Sequence, residues 1–127
     1  MRKTGLTLIE LILTIVVVGI VAVPLSLVIA QNCSSVFYSE GVTTAFNLAR
    51  LEMETVNNLS YASVANAAFS SYQGYGYNVT RTVSYVYGTV TSAESLKKIS
   101  IQVKRVGDSA VLATLVAYRA NNVSYGL

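Results

Sequence analysis

Hydrophobic and polar positions change their spacing twice along this chain. From Leu11 to Ala30 there are twenty residues without a charge. At ~1.5 Å per residue such a run is roughly 30 Å long, the thickness of a bilayer core. It predicts a membrane-spanning helix, and the polar residues 31–35 mark its exit. A helical stripe then follows: Val42, Phe46, Ala49, Met53 and Val56 recur at four- and three-residue steps, with Glu40, Asn47, Arg50 and Glu54 facing away. Arg50 and Glu54, four apart, can pair weakly.

Residues 60–73 show no period and read as a loop with a short helical turn. After Gly74 the period becomes two. Tyr75, Tyr77, Val79, Val83, Tyr85 and Tyr87 share one parity, while Asn78, Thr80, Thr82 and Ser84 share the other. Residues 88–95 form a loop. Ile99, Ile101 and Val103 then alternate with polar neighbours, Gly107-Asp108 makes a turn, and Val111–Arg119 is the next strand. The pattern predicts an α+β chain: one long N-terminal helix, half membrane and half globular, packed on an antiparallel meander of three or so strands.

Composition sharpens this reading. Hydrophobic residues make up 53% of the 127 and charged ones 12%, about half the charge of an ordinary soluble domain. The apolar excess sits in the first thirty residues, so a membrane segment carries a small exported domain. Net charge is +3, and Arg2 and Lys3 supply two of those charges, leaving little attraction for nucleic acid. One cysteine and no histidine leave no internal disulfide and little for a transition metal.

The first ten residues decide between several fates for the apolar run. A secretory signal peptide is basic at its start, as here, but its apolar core is shorter and carries no acid like Glu10. A lipoprotein anchored through Cys33 needs small residues where this chain has Gln31 and Asn32. The segment Gly5-Leu6-Thr7-Leu8-Ile9-Glu10-Leu11 resembles the processing motif G-F-T-L-I-E-L of type IV pilins and type II secretion pseudopilins, with Leu6 in place of the usual Phe. Residues 45–54 more weakly resemble the second half of the long helix in minor pilins and pseudopilins.

That resemblance implies three segments: a leader at residues 1–5, a transmembrane and filament-core half-helix at 6–31, and a pilin domain at 32–127. The domain's helix runs to about 59, its loop over 60–73, and its strands start from about 74. It also implies that a prepilin peptidase cuts between Gly5 and Leu6 and methylates Leu6. Other pilin subunits, an inner-membrane platform and its ATPase are implied partners, with the lipid bilayer holding the subunit before assembly. Arg2 and Lys3 place the N-terminus in the cytoplasm and the domain outside.

Glu10 has two readings. Thr7-x-x-Glu10 is a capping box whose acid complements the helix dipole. By resemblance, Glu10 also meets the amine of Leu6 on a neighbouring subunit and sets the register of assembly. Pro24 removes the hydrogen bond to the Ile20 carbonyl and kinks or loosens the helix. That is either a melting point on leaving the membrane or a kink tolerated within it.

Nothing in the remaining sequence supports catalysis. Past the helix the acids are Glu94 and Asp108, which cannot supply a hydrolytic or paired-carboxylate site. The chain reads as a structural subunit with no cofactor and no metal. The same scarcity argues against the calcium loop of major pseudopilins and favours a minor subunit. The alternatives are a major pilin and an unprocessed single-pass membrane-anchored binding protein. The tyrosines read as core, Cys33 as a small buried hydrophobe, and Lys97, Lys98, Lys104, Arg105 and Arg119 as a solvated basic end.

Overall fold

The computed structural model describes Gly5 and residues 7–122. It contains one helix, α1 (Leu8–Asn57), followed by β1 (Ala67–Phe69), β2 (Tyr77–Tyr87), β3 (Ser95–Arg105) and β4 (Val111–Asn121). Short 3₁₀ turns at Tyr61–Ser63 and Tyr72–Gly74 flank β1. Contacts group the chain into two units, Met1–Ser39 and Glu40–Leu127.

The first unit is the start of α1. Thr7 opens the helix: its hydroxyl accepts the Glu10 N–H at 3.4 Å and its carbonyl accepts the Leu11 N–H at 3.1 Å. The helix continues through Pro24. Hydroxyl and amide side chains along it bond back one turn, Thr14 to the Glu10 carbonyl and Ser26 to the Ala22 carbonyl, which lets polar groups ride on an apolar helix without exposed donors.

The second unit is α+β. Its strands follow the order β1-β2-β3-β4, each antiparallel to the next, so the chain makes a meander of four strands where the sequence pattern indicates three. The extra strand, β1, falls in the stretch expected to be a loop. Its three residues, Ala67, Ala68 and Phe69, are too few to display a period of two. In β3 alternation is strict: Ser95, Lys97, Ile99, Ile101 and Val103 point to the core.

The face of α1 that meets this sheet is rotated from the expected stripe. Gly41, Ala45, Leu48, Ala49, Glu52, Met53 and Val56 are buried, whereas Phe46 is 45% exposed. The reason is close approach. Gly41, Ala45 and Ala49 recur at four-residue steps and form a ridge without bulk, over which side chains of the sheet close. At Gly41 a Cβ would stand 2.7 Å from Nη2 of Arg105. Phe46, one residue past Ala45, lies about 100° around the helix from that ridge. Val79, Ile99, Ile101 and Val103 fill the opposing sheet surface. Of the tyrosine parity, only Tyr77 packs at the edge of this core; Tyr75, Tyr85 and Tyr87 are exposed.

The helix ends without a basic residue in its last turn. Instead β4 supplies one: Arg119 donates to the Val56 carbonyl at 3.0 Å, satisfying one of the terminal carbonyls and opposing the dipole.

The rotated stripe makes a direct test. Ala45→Leu should destabilise the domain by about 1–3 kcal/mol through overpacking, while Phe46→Ser should change it by less than about 0.5 kcal/mol. Urea unfolding of the full chain in detergent, followed by circular dichroism, reads both.

Candidate functional site

Of the residues singled out by sequence, Glu10 lies in the first turn of α1 and Pro24 within the exposed run behind it. Gly5 is exposed and precedes the helix; Glu10 sits in its first turn and is exposed. Met1–Thr4 and Leu6, on which the leader and the new amine depend, lie outside the described residues. Among the described residues the Glu10 carboxylate has no hydrogen-bond or ion-pair partner, although its backbone N–H is capped by Thr7. The capping reading of the Thr7–Glu10 pair is therefore realised on the backbone side, and the carboxylate stays available.

Behind it the helix is apolar on every side. Leu8, Ile9, Leu11, Ile12, Leu13 and Ile15 are each at least half exposed, and the pattern continues to Ile29. One 18-residue window within α1 reaches a mean hydropathy of 2.9, with none of it buried in the chain. A helix apolar all round belongs in a bilayer or in a bundle of other helices. Cys33 is exposed here, not buried as its residue type suggests, because this stretch of α1 has no packed partner among the described residues.

The second unit holds charged groups that the sequence pattern did not bring together. Glu52 is 1% exposed and its carboxylate is shared. One oxygen accepts Nη1 of Arg81 at 2.6 Å and the other accepts the Tyr72 hydroxyl at 2.6 Å. Arg81 Nε also donates to the Ala65 carbonyl at 2.8 Å. Glu52 interrupts the apolar helix stripe four residues after Leu48 and four before Val56. Arg81 interrupts the apolar parity of β2 between Val79 and Val83. Two interruptions of opposite charge in facing stripes were the available signal.

Lys97 corrects the solvated basic end. It is 4% exposed, and its ammonium donates to the carbonyls of Tyr61 and Val64 at 2.8 and 3.0 Å. The rings of Tyr61 and Tyr85 lie 4.5 and 5.4 Å from it, close enough for cation–π attraction. Lys98, Lys104 and Arg105 remain at the surface or half-buried. Among the described residues no three His, Cys, Asp or Glu side chains gather as a metal-binding group.

Removing Glu52 leaves the Arg81 guanidinium in the core without its anion. Glu52→Ala should cost about 3–5 kcal/mol, measured by thermal or urea unfolding. Tyr72 adds a pH dependence. Burial, then its hydrogen bond to Glu52 and that carboxylate's charge, raise its hydroxyl above the ordinary 10.0. The native state thus holds its proton longer than the unfolded chain. Stability from this source is complete below that value and falls as pH rises through the window above it. Unfolding measured at steps from about pH 9 to 11 should show this loss, and Tyr72→Phe should flatten it.

Residues 1–26 match a family model described as the prokaryotic N-terminal methylation motif. No curated protein and no solved structure matches the chain. The motif covers Gly5, Glu10 and the apolar run through Pro24, the same residues whose exposure was described above. It implies in general a prepilin peptidase and other pilin subunits as partners, and with the apolar helix it fits a membrane-anchored pilin. The chain thus carries, over residues 1–26, the N-terminal signature of type IV pilins and pseudopilins.

Proposed function

We propose that this chain is a structural subunit, a minor pilin or pseudopilin, of a type IV pilus or a type II secretion pseudopilus. The observation that carries this is one lone acid, Glu10, in the first turn of a helix exposed and apolar on all sides, within a matched methylation motif. Such a helix needs a hydrocarbon environment at every stage. The bilayer provides it first, with Arg2 and Lys3 holding the N-terminus in the cytoplasm. The same helices of other subunits provide it afterwards.

Prepilin peptidase cuts between Gly5 and Leu6 and methylates the new amine. Gly5 suits the cut because a residue without a side chain lets the backbone lie extended in a protease cleft. The cleaved amine of Leu6 and the carboxylate of Glu10 then carry opposite charges. An incoming subunit places its amine against the Glu10 of a neighbour, so both charges are neutralised in a low-dielectric bundle. A subunit out of register would leave a buried charge unpaired, which is costly enough to reject it. The inner-membrane platform and its ATPase supply the work of lifting the subunit from the bilayer. The product is an assembly, and no reaction is assigned to the domain. Scarcity of acids past the helix supports the minor role over the calcium-binding major pseudopilins.

Intact-mass and N-terminal peptide spectrometry of the cellular protein should show loss of Met1–Gly5 and a methylated Leu6. An intact basic start would instead mark an unprocessed single-pass anchor. Glu10→Val should insert normally into membranes yet lower its recovery in sheared filaments by about tenfold or more, the scale expected when one partner of a buried charge pair is lost. Wild-type recovery would remove the pairing role.

A further inference from the structure

We infer that the exported domain carries a binding cleft for a neutral saccharide, where β1 and the following 3₁₀ turn lie beside α1. A cavity of about 550 Å³ opens there, lined by Glu52, Thr55, Phe69, Ser70, Tyr72 and Gln73. Its volume falls in the range of small-ligand sites, roughly 300–1,000 Å³. All of these residues belong to the second unit, so the cleft is independent of how the N-terminal motif is processed.

Three features distinguish the cleft from an ordinary surface fold. First, its walls are held rigid from beneath. Glu52 is fixed by Arg81 and Tyr72, each at 2.6 Å, and Phe69 and Tyr72 meet edge to face at 5.4 Å. Second, the lip is strained. Ser71 and Gln73 on either side of Tyr72 both take left-handed backbone, with φ of 47° and 53°. Residues with side chains adopt that region rarely, and such departures gather at binding sites. Third, a large apolar ring is left uncovered at a polar opening. Phe69 is 38% exposed, beside the Thr55 and Ser70 hydroxyls and the Gln73 amide.

The chemistry of this lining selects the ligand. The cleft offers the Ser70 hydroxyl and the Gln73 amide, which exchange hydrogen bonds with sugar hydroxyls, and the oxygen of Thr55, whose own proton goes to the Leu51 carbonyl at 3.0 Å. The Phe69 ring offers an apolar surface for the C–H face of a pyranose. The Glu52 carboxylate is already balanced by the Arg81 guanidinium, and no lysine or arginine lines the opening. An anionic sugar therefore finds no countercharge, and a cationic one finds its anion taken. A neutral ring bearing hydroxyls fits.

The test uses the full chain in detergent micelles and saturation-transfer NMR against maltose, cellobiose, lactose, chitobiose and the anionic sialyllactose. At least one neutral disaccharide should receive saturation. Phe69→Ala should weaken it by about tenfold and Gln73→Ala by about fivefold. Tyr87→Ala, outside this cleft, should leave binding unchanged. Circular dichroism checks that each variant is folded; should Phe69→Ala unfold, Phe69→Leu keeps the volume and removes the ring, with the same loss expected. No saturation of any neutral sugar, stronger binding of sialyllactose, or binding indifferent to both Phe69 and Gln73 in folded variants would overturn the assignment.

Discussion

A single helix in this protein must satisfy two solvents, and the rest of the structure follows from how its sequence divides that task. Residues 8–30 are apolar around the full circumference and stay unburied within the chain. Residues 41–56 are apolar on one narrow face only. A helix of the first kind cannot be stabilised by its own domain, because no sheet covers more than one side of it. A helix of the second kind cannot remain in hydrocarbon, where Arg50 and Glu54 would stand unsolvated. The division therefore fixes which part is domain core and which part must find its environment outside the chain. The exposed carboxylate of Glu10 belongs to the second class of problem.

Within the domain, polar groups add to the apolar packing that fastens helix to sheet. Val56, Tyr61, Val64 and Ala65 present carbonyls around the helix end and the turn after it, and those of Val56 and Tyr61 already accept the N–H groups of Leu59 and Val64. Arg119, Lys97 and Arg81 reach them from three different strands. Buried carbonyls demand donors, and a chain this short has little backbone to spare. Long cationic side chains meet the demand from across the sheet while their methylene stems add to the core. Only Arg81 brings its charge to a carboxylate; Lys97 relies on carbonyls and two tyrosine rings. Substituting any one of them removes packing and hydrogen bonds together, so charge counting alone underestimates their part in stability.

The legible parts of this fold were those with long, repeated patterns. The spanning run, the helix beyond it and the alternation in β2 to β4 each extend over ten or more residues, enough for a period to stand out. The class, α+β with a helix on an antiparallel meander, came from those alone. β1 was missed since three residues have no period and two of them, Ala67 and Ala68, are weak strand formers. Of the stripe expected on α1, Ala49, Met53 and Val56 are buried, while Val42 is half-buried and Phe46 exposed. Gly41, Ala45 and Leu48, which that stripe left out, are inside under the sheet's side chains. The ion pair of Glu52 and Arg81 left one faint signal, opposite charges interrupting facing stripes, and the burial of Lys97 left none, for a different reason. Charged residues are almost never fully buried unless paired, and pairing depends on strand register that no local pattern reveals. At the N-terminus, by contrast, Gly5, Glu10 and Pro24 could be named because their motif is contiguous in sequence.

Glu10 and Glu52 are carboxylates of the same helix, and their contrast shows what the chain settles by itself. Glu52 lies where the helix has an apolar face against its own sheet, and the sheet answers it with Arg81 and Tyr72. The cost of taking that carboxylate out of water is met inside one molecule, so its contribution is to a unique packing of the domain. Glu10 lies where the helix has no sheet, and among the described residues nothing answers it. If its counter-charge comes from a neighbouring subunit, then the energy that fixes Glu10 cannot be collected until the neighbour is in place. A compensated acid specifies a fold; on the proposed reading, an uncompensated one in the same helix specifies an encounter. On that view the domain's stability and the subunit's assembly are separable, since the two acids draw on different partners, and mutations in the Glu52 network should act on the first without setting the register of the second.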